Sequence, residues 1–122
     1  MMVDDIRTLL ETRGYVDVYC RNMPPMNGTI ITLTESGGTS NRDNLRIDMP
    51  TLTVYVRSAS EADATTTLES IQVSILSAMP YDADSGVHYY KARPFETGRW
   101  SGRTKYGFYY VKMQSYMMEV AL

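Results

Sequence analysis

The segment from Pro50 to Met79 constrains the fold more than any other part of the chain. It begins with apolar Leu52, Val54 and Val56 alternating with polar residues, which is typical of a half-buried strand. A short turn follows, and then apolar residues recur at helical spacing, at Ala64, Leu68, Ile71, Ile75 and Ala78. The segment therefore predicts a strand followed directly by an amphipathic helix that is long enough to cover several strands.

The ends of this helix are marked by local signals. Ser60 and Asp63 have the spacing of a capping box. In this motif the Ser60 hydroxyl accepts from the backbone N–H of Asp63, and the Asp63 carboxylate accepts from the backbone N–H of Ser60. Met79 and Pro80 end the helix, because proline lacks the backbone donor that a continuing helix needs.

The remaining elements follow from shorter patterns. A first helix is predicted over about 3–13, and Gly14 is its stop signal. Further strands are predicted over 15–21, 29–34, 87–93 and 104 to about 120. The segments 35–49, 81–86 and 95–102 are polar, contain glycine and lack periodicity, and they are predicted as loops.

The order of these elements predicts an α+β domain of two layers over residues 1–122. Short connections favour a mainly antiparallel sheet of about five strands, and two amphipathic helices can pack on one of its faces. The other face would carry Tyr15, Tyr19, Thr53 and Tyr55 and would suit a protein partner. Alternation in the last strand leaves two registers open, with Phe108 and Tyr110 or with Tyr109, Val111 and Met113 inward, and a bulge near Gly107 would allow either.

Composition narrows the possible functions. The 122 residues carry a net charge of −2, so no overall positive field favours nucleic acid. Cys20 is the single cysteine, which excludes an internal disulfide and is typical of a reducing cytoplasm. We expect no signal peptide and no membrane helix, because no apolar run approaches about 20 residues. The segment from Lys91 to Lys112 contains six basic residues and one acidic residue. This charge excess predicts either a patch for an acidic partner or a solvated strand pair.

No set of residues indicates catalysis or metal binding. Cys20 and His88 are the only members of their types, and neither has an orienting acid or an oxyanion hole nearby in sequence. The segment 82–86 starts like a calcium loop but lacks its later glycine and glutamate. The segment 98–104 lacks the lysine of a phosphate-binding loop. We therefore expect no enzyme activity, no cofactor and no metal.

Aromatic and basic residues on the last two predicted strands allow a different interpretation. They could form a platform for single-stranded nucleic acid, since bases stack on aromatic rings and phosphates attract basic side chains. Tyrosine is also common in strands for packing reasons alone. Lys105-Tyr106-Gly107-Phe108 does not have the spacing of the RNA-recognition signature, and no specific nucleic-acid binding is expected. The residues concerned are Tyr89, Tyr90, Lys91, Arg93, Tyr106 and Tyr109.

The layout resembles that of the small tail-terminator or tail-completion proteins of long-tailed phages, which are often labelled minor capsid proteins. The likeness covers nearly the whole chain, from the N-terminal helix and Gly14 through the strands starting at Tyr15 and Thr29. Its most telling part is the run Pro50-Thr51-Leu52-Thr53-Val54-Tyr55-Val56-Arg57, followed at once by the acidic helix start at 60–64. A polar loop containing glycine then enters the last strand.

This resemblance implies a structural virion protein without catalytic residues or cofactor. Such proteins form a ring, commonly sixfold, on the end of the tail tube, stop its polymerisation and join the tail to the neck proteins of the head. The implied partners are copies of the chain itself, the tail tube protein and head-neck or connector proteins. The implied location is the tail-neck region of a virion that is assembled in the host cytoplasm. A head-completion or connector protein is the alternative within the same setting.

The two long predicted loops are the natural candidates for contacts in such a ring. Trp100 lies between basic residues, a composition that is common in interface hot spots, although it could equally fold back on its own domain. We expect both loops to face neighbouring subunits or the tube. The candidate interface residues are Glu35, Arg42, Arg46, Arg99, Trp100 and Arg103.

Overall fold

The computed structural model describes residues 2–22, 28–40, 47–94, 99–103 and 110–121. Within these ranges the fold consists of two helices and seven strands. Their bounds are α1 Met2–Thr12, β1 Val18–Cys20, β2 Ile30–Ser40, β3 Ile47–Ser58, α2 Glu61–Ala78, β4 Tyr81–Asp82, β5 His88–Pro94, β6 Arg99–Arg103 and β7 Tyr110–Ala121.

The strands form one sheet in the order β1-β2-β3-β7-β5-β4, and β6 also pairs with β7. Since β3 pairs with β7 along its whole length, β5 and β6 lie end to end along the other side of β7. Every pair is antiparallel except β1 with β2, which is parallel. The predicted α+β class with a mainly antiparallel sheet is confirmed.

Both helices pack on one face of this sheet and enclose the core. Alternate residues of the central strands face the helices, so that Leu33 pairs with Val54 and Leu52 pairs with Tyr116. All four side chains are fully buried. They contact the apolar stripes of α1 and α2, which supply Val3, Ile6, Leu10, Leu68, Ile71 and Ile75. The core therefore forms between the strand side chains that recur at every second position and the helix side chains that recur at intervals of about 3.6 residues.

The predicted loop over 35–49 is wrong in its main part. β2 continues to Ser40 and β3 begins at Ile47, so most of the segment is a hairpin arm with a register shift between Ser36 and Thr39. The predicted loop over 95–102 likewise contains most of β6. Both segments lack apolar alternation in the sequence, and backbone pairing with the neighbouring strand places them in the sheet.

Smaller differences concern the ends of elements. The strand predicted over 15–21 shrinks to β1, and Tyr15 is not on the outer side of the sheet, because its hydroxyl bonds to Ser70 and Ser74 of α2. The loop predicted at 81–86 begins with β4. In the last strand Tyr116 and Met118 are fully buried on the helix side. The positions Phe108 and Tyr109, and the bulge expected near Gly107, lie outside the described residues.

The N-terminus of α2 confirms half of the predicted capping box. The Ser60 hydroxyl accepts from the backbone N–H of Asp63 at 3.2 Å. The backbone N–H of Ser60 donates to Ser58 Oγ at 3.3 Å, so this donor goes to Ser58 rather than to the Asp63 carboxylate. Ser58 comes from the end of β3, and it therefore ties the strand to the start of the helix.

Replacing Ser60 with alanine is expected to lower the free energy of unfolding by about 1 kcal/mol, because a backbone donor at the helix start loses its partner. Chemical denaturation of both proteins measures this difference. Ser60→Asp is the matched control, since aspartate also caps helices and should stay within a few tenths of a kcal/mol of the original protein. Equal losses in the two variants would contradict a capping role for Ser60.

Candidate interaction surface

The face of the sheet opposite the helices is the candidate site, and we call it the outer face. Strand register defines it, because residues that pair across strands lie on the same face. Thr32 pairs with Tyr55, and Tyr55 pairs with Met113 on the other side. In the next row Thr34, Thr53 and Ser115 follow the same order. The outer face consists of Thr32, Thr34, Thr51, Thr53, Tyr55, Met113, Ser115 and Met117.

Most side chains of the outer face are half-buried, and they mix hydroxyl groups with apolar groups. Thr34, Thr53, Tyr55, Met113 and Met117 are all of intermediate exposure. The hydroxyls of Thr53 and Ser115 bond to each other across β3 and β7 at 3.0 Å, which fixes part of the face. Aromatic residues and methionine are enriched in protein contacts. The outer face is therefore chemically suited to a protein partner.

A depression of about 260 Å³ lies where the outer face meets the β1 edge of the sheet. It is lined by Arg21, Thr32, Thr34 and Tyr55. Arg21 has a φ of 76°, which is rare for a residue with a side chain, and its guanidinium Nη2 lies 3.3 Å from Asp4 Oδ2. This ion pair holds a positive charge at the rim of the depression.

The basic patch predicted between Lys91 and Lys112 is divided by the fold. Lys91 and Arg93 are exposed on β5, and with Met49, Met117 and Glu119 they line a small crevice. Lys112 belongs to the opposite face, because its Nζ donates to Thr65 Oγ1 of α2 at 3.3 Å. Lys91, Arg93 and Lys112 therefore do not form one positive surface, because neighbouring positions on a strand alternate between faces.

The candidate interface residues are distributed over both sides of the sheet. Arg99, Trp100 and Arg103 are in β6, which pairs with β7. Glu35 is on β2, with β3 and β7 between it and β6. It pairs with Leu52 and so faces the helix side, where its Oε1 is buried and has no hydrogen-bond partner among the described residues. Arg42 and Arg46 lie outside the described residues. The structure therefore does not join Glu35 and β6 into one site within a subunit.

The Cys20 and His88 positions exclude a dyad within one subunit. Cys20 is on β1 and His88 is on β5, which are four strand spacings apart, or about 19 Å along the sheet. The Cys20 pKa is raised by burial and by the nearby Asp4 carboxylate, so its thiol is not activated. His88 Nδ1 lies 2.5 Å from Asp82 Oδ1 on the adjacent strand β4, so the expectation that no acid lies near His88 is wrong.

Within the described ranges, histidine, cysteine and carboxylate side chains form no cluster of three or more that could hold a metal ion. The same ranges contain no helix of the length and apolar character required to cross a membrane.

Sequence reasoning missed a buried polar contact beneath the helices. Asp4 and Asp5 lie in the first turn of α1, where acidic side chains suit the positive end of the helix dipole and are commonly exposed. Asp5 is buried instead, and the Tyr89 hydroxyl of β5 donates to its Oδ2 at 2.5 Å. Asp4 remains exposed. The apolar spacing of α1 was the available signal, because position 5 lies next to Ile6 and close to the stripe of Val3, Ile6 and Leu10.

Comparison with solved structures shows a likeness in fold. No family model matches the chain, and no curated protein matches it. Its fold is similar to that of a chain in a solved structure described as the virion of a native gene transfer agent particle. The TM-score is 0.74 with 15% sequence identity, and the alignment covers 99% of this chain and 95% of the other. At this identity the likeness concerns the fold.

Proposed function

We propose that this protein is a structural subunit of a phage-like virion, and specifically a tail terminator that forms a ring on the end of the tail tube. The observation that carries the proposal is the similarity in fold to a chain of a gene transfer agent virion over nearly the full length of both chains. The order of motifs along the sequence supports the finer role. A ring of this kind would stop tube polymerisation and present a surface to neck proteins.

The surface chemistry of the subunit supports an assembly role. A closed ring needs heterologous contacts, in which two different surfaces of one subunit meet the next subunits on either side. The outer face and the two edges of the sheet supply different surfaces on one rigid framework. The half-buried tyrosine and methionine side chains of the outer face are suited to contact with the tube or with neck proteins.

The decisive experiment is native mass measurement of the purified protein over a wide concentration range, with negative-stain imaging of the same samples. A closed ring of about six copies is expected, either in solution or after addition of preformed tail tubes, whose ends should then be capped. A monomer that leaves tube ends uncapped would overturn the proposal. Binding to tailless heads instead of tubes would indicate a head-completion role and would overturn the tail position. Salt-dependent retention on single-stranded DNA, without rings, would favour a nucleic-acid module.

Replacing Arg99 and Trp100 together with alanine is expected to reduce the joining of heads to tails by about tenfold or more, because tryptophan and arginine are the residues most enriched in interface hot spots. Counting joined particles by electron microscopy measures the effect. Val73→Ala is the control, since Val73 is 67% exposed on α2, in the helix layer rather than in β6. Unchanged joining by a folded double variant would remove β6 from the interface.

A further inference from the structure

The β1 edge of the sheet has a step. β1 covers only Ile31 to Leu33 of β2, while β2 continues to Ser40. Leu33 O accepts from Arg21 N and Ile31 N donates to Asp17 O, so odd-numbered positions of β2 present their backbone groups to this edge. No strand in the described part of the chain pairs with the outward side of β2 beyond Leu33.

β1 also presents backbone N–H groups outward, whereas the outward carbonyl of Cys20 already accepts from the backbone N–H of Asn22 at 2.9 Å. Its odd-numbered neighbours Asp17 and Arg21 bond to β2, so Val18 and Cys20 direct their N–H groups away from the sheet. Within the described ranges, no strand pairs with that side. Unpaired edge groups of this kind are a template for pairing with another chain.

The opposite edge has the complementary step. There β5 and β6 lie end to end along β7, and β4 covers only His88 and Tyr89 of β5. The outward side of β6 and of the rest of β5 has no partner strand among the residues that the structure describes. One edge therefore protrudes through β1, and the other protrudes through β4.

Register places these protrusions at different levels of the sheet. β1 is level with β6, and the row that shows this consists of Tyr19, Thr32, Tyr55, Met113 and Arg99. β4 is level with the end of β2, through the row Ser40, Asp48, Val120, Tyr89 and Tyr81. When two copies stand side by side at the same height, β1 of one and β4 of the next fit into a single column of strands, one above the other.

Strand direction agrees with this fit. The pairings give β1, β2, β4 and β7 one direction and β3, β5 and β6 the other. In copies of the same orientation, β1 would meet β6 of the next copy as an antiparallel pair. β4 of that next copy would run parallel to the end of β2. Both arrangements are ordinary in sheets.

We propose that subunits assemble by continuing the sheet from copy to copy, with β1 pairing to β6 of the next copy and β4 of that copy lying beside the end of β2. The occupant of the edge is a second copy of this chain, because the steps and strand directions of the two edges complement each other. The closed ring rests on the proposed function. Heterologous contacts form a ring only if the rotation from one copy to the next adds up to a full turn, and otherwise they form an open filament.

Engineered disulfides test the pairing. In a Cys20→Ser background, Tyr19→Cys with Arg99→Cys is expected to give a ladder of covalent oligomers under oxidising conditions, and reductant should remove it. Residues paired across antiparallel strands have Cα atoms about 4.5–5.5 Å apart, which is within disulfide range. Tyr19→Cys with Val73→Cys is the matched control and should give no ladder, because Val73 is on the helix layer.

Amide hydrogen exchange on the unmodified protein gives a second measurement that needs no variant to fold. The outward amides of Val18 and Cys20 are expected to exchange about tenfold more slowly in assembled samples than in dilute monomer. A ring without a ladder and without this protection would overturn the edge pairing and leave the tail-terminator proposal standing. A ladder and protection in open chains that never close or cap tubes would support the pairing and overturn the ring. If the protein forms no ring, no disulfide ladder and no protected amides, both the edge pairing and the tail-terminator proposal are overturned.

Discussion

Replacing Ile71 with alanine is expected to lower the free energy of unfolding by about 2–5 kcal/mol, because removal of a buried aliphatic side chain loses transfer free energy and leaves a cavity. Ile71 is fully buried near the middle of α2, in the core between both helices and the sheet. A domain of this size is stable by only about 5–15 kcal/mol, so the loss is a large share of the total. Urea denaturation followed by circular dichroism measures it.

The control for this prediction is on the same helix. Val73→Ala removes apolar volume two residues further along α2, where the side chain is 67% exposed. Its cost should stay within about 0.5 kcal/mol, since exposed substitutions rarely cost more. Similar losses in the two variants would mean that α2 does not pack on the sheet through the Ile71 side.

Replacing Tyr89 with phenylalanine is expected to cost about 1.5–3 kcal/mol, because the buried Asp5 carboxylate would lose the hydroxyl that donates to it. The bond joins the first turn of α1 to β5, which are 84 residues apart in sequence. Tyr90→Phe is the matched control on the same strand, since Tyr90 is 46% exposed. Its effect on the free energy of unfolding should be within about 0.5 kcal/mol. A similar loss in both variants would contradict a specific role for the buried bond.

The same substitution should change the response to alkaline pH. The pKa of Tyr89 is raised above its ordinary value of 10.0 by burial first, and then by its hydrogen bond to Asp5 and by the charge of Asp5. Burial also raises the pKa of Tyr116. A raised pKa in the folded state means that the unfolded chain releases its proton first as pH rises. Stability from this source is therefore complete below about pH 10 and falls above it, by about 1.4 kcal/mol per pH unit for each group.

Unfolding measured at intervals between about pH 9 and 11 tests this dependence. Tyr89→Phe should reduce the loss of stability between pH 10 and 11 by about 1 kcal/mol, while Tyr90→Phe should leave it unchanged. A decline of equal slope in the original protein and in Tyr89→Phe would show that the Tyr89 hydroxyl does not hold its proton in the folded state.

The features that were predicted correctly are those set by neighbours a few residues apart. The apolar stripe of α2 and the alternation of β3 both follow from the spacing of side chains along the chain. The Ser60 cap depends on the backbone N–H of a residue three positions away. Each of these features depends only on residues that are a few positions apart in the sequence.

The errors concern features that depend on distant partners. The hairpin arm at Ser36–Ser40 and the strand β6 carry no apolar alternation, and they are strands because β3 and β7 offer backbone groups at the right register. Burial of the Asp5 carboxylate depends on the donor hydroxyl of Tyr89, which is 84 residues away in the sequence. Sheet order, which local pattern does not specify, also decides that three strands lie between Cys20 and His88.

The candidate surface follows the same division. Tyr55 and Thr53 could be assigned to the face away from the helices from alternation alone, since Leu52, Val54 and Val56 must face the core. The neighbours that complete the outer face and the matching steps of the two edges follow from strand order and register. Local spacing thus specifies which way a side chain points, because it acts over a few residues. The long-range pairing of strands specifies what lies beside it and which edges stay open to another copy.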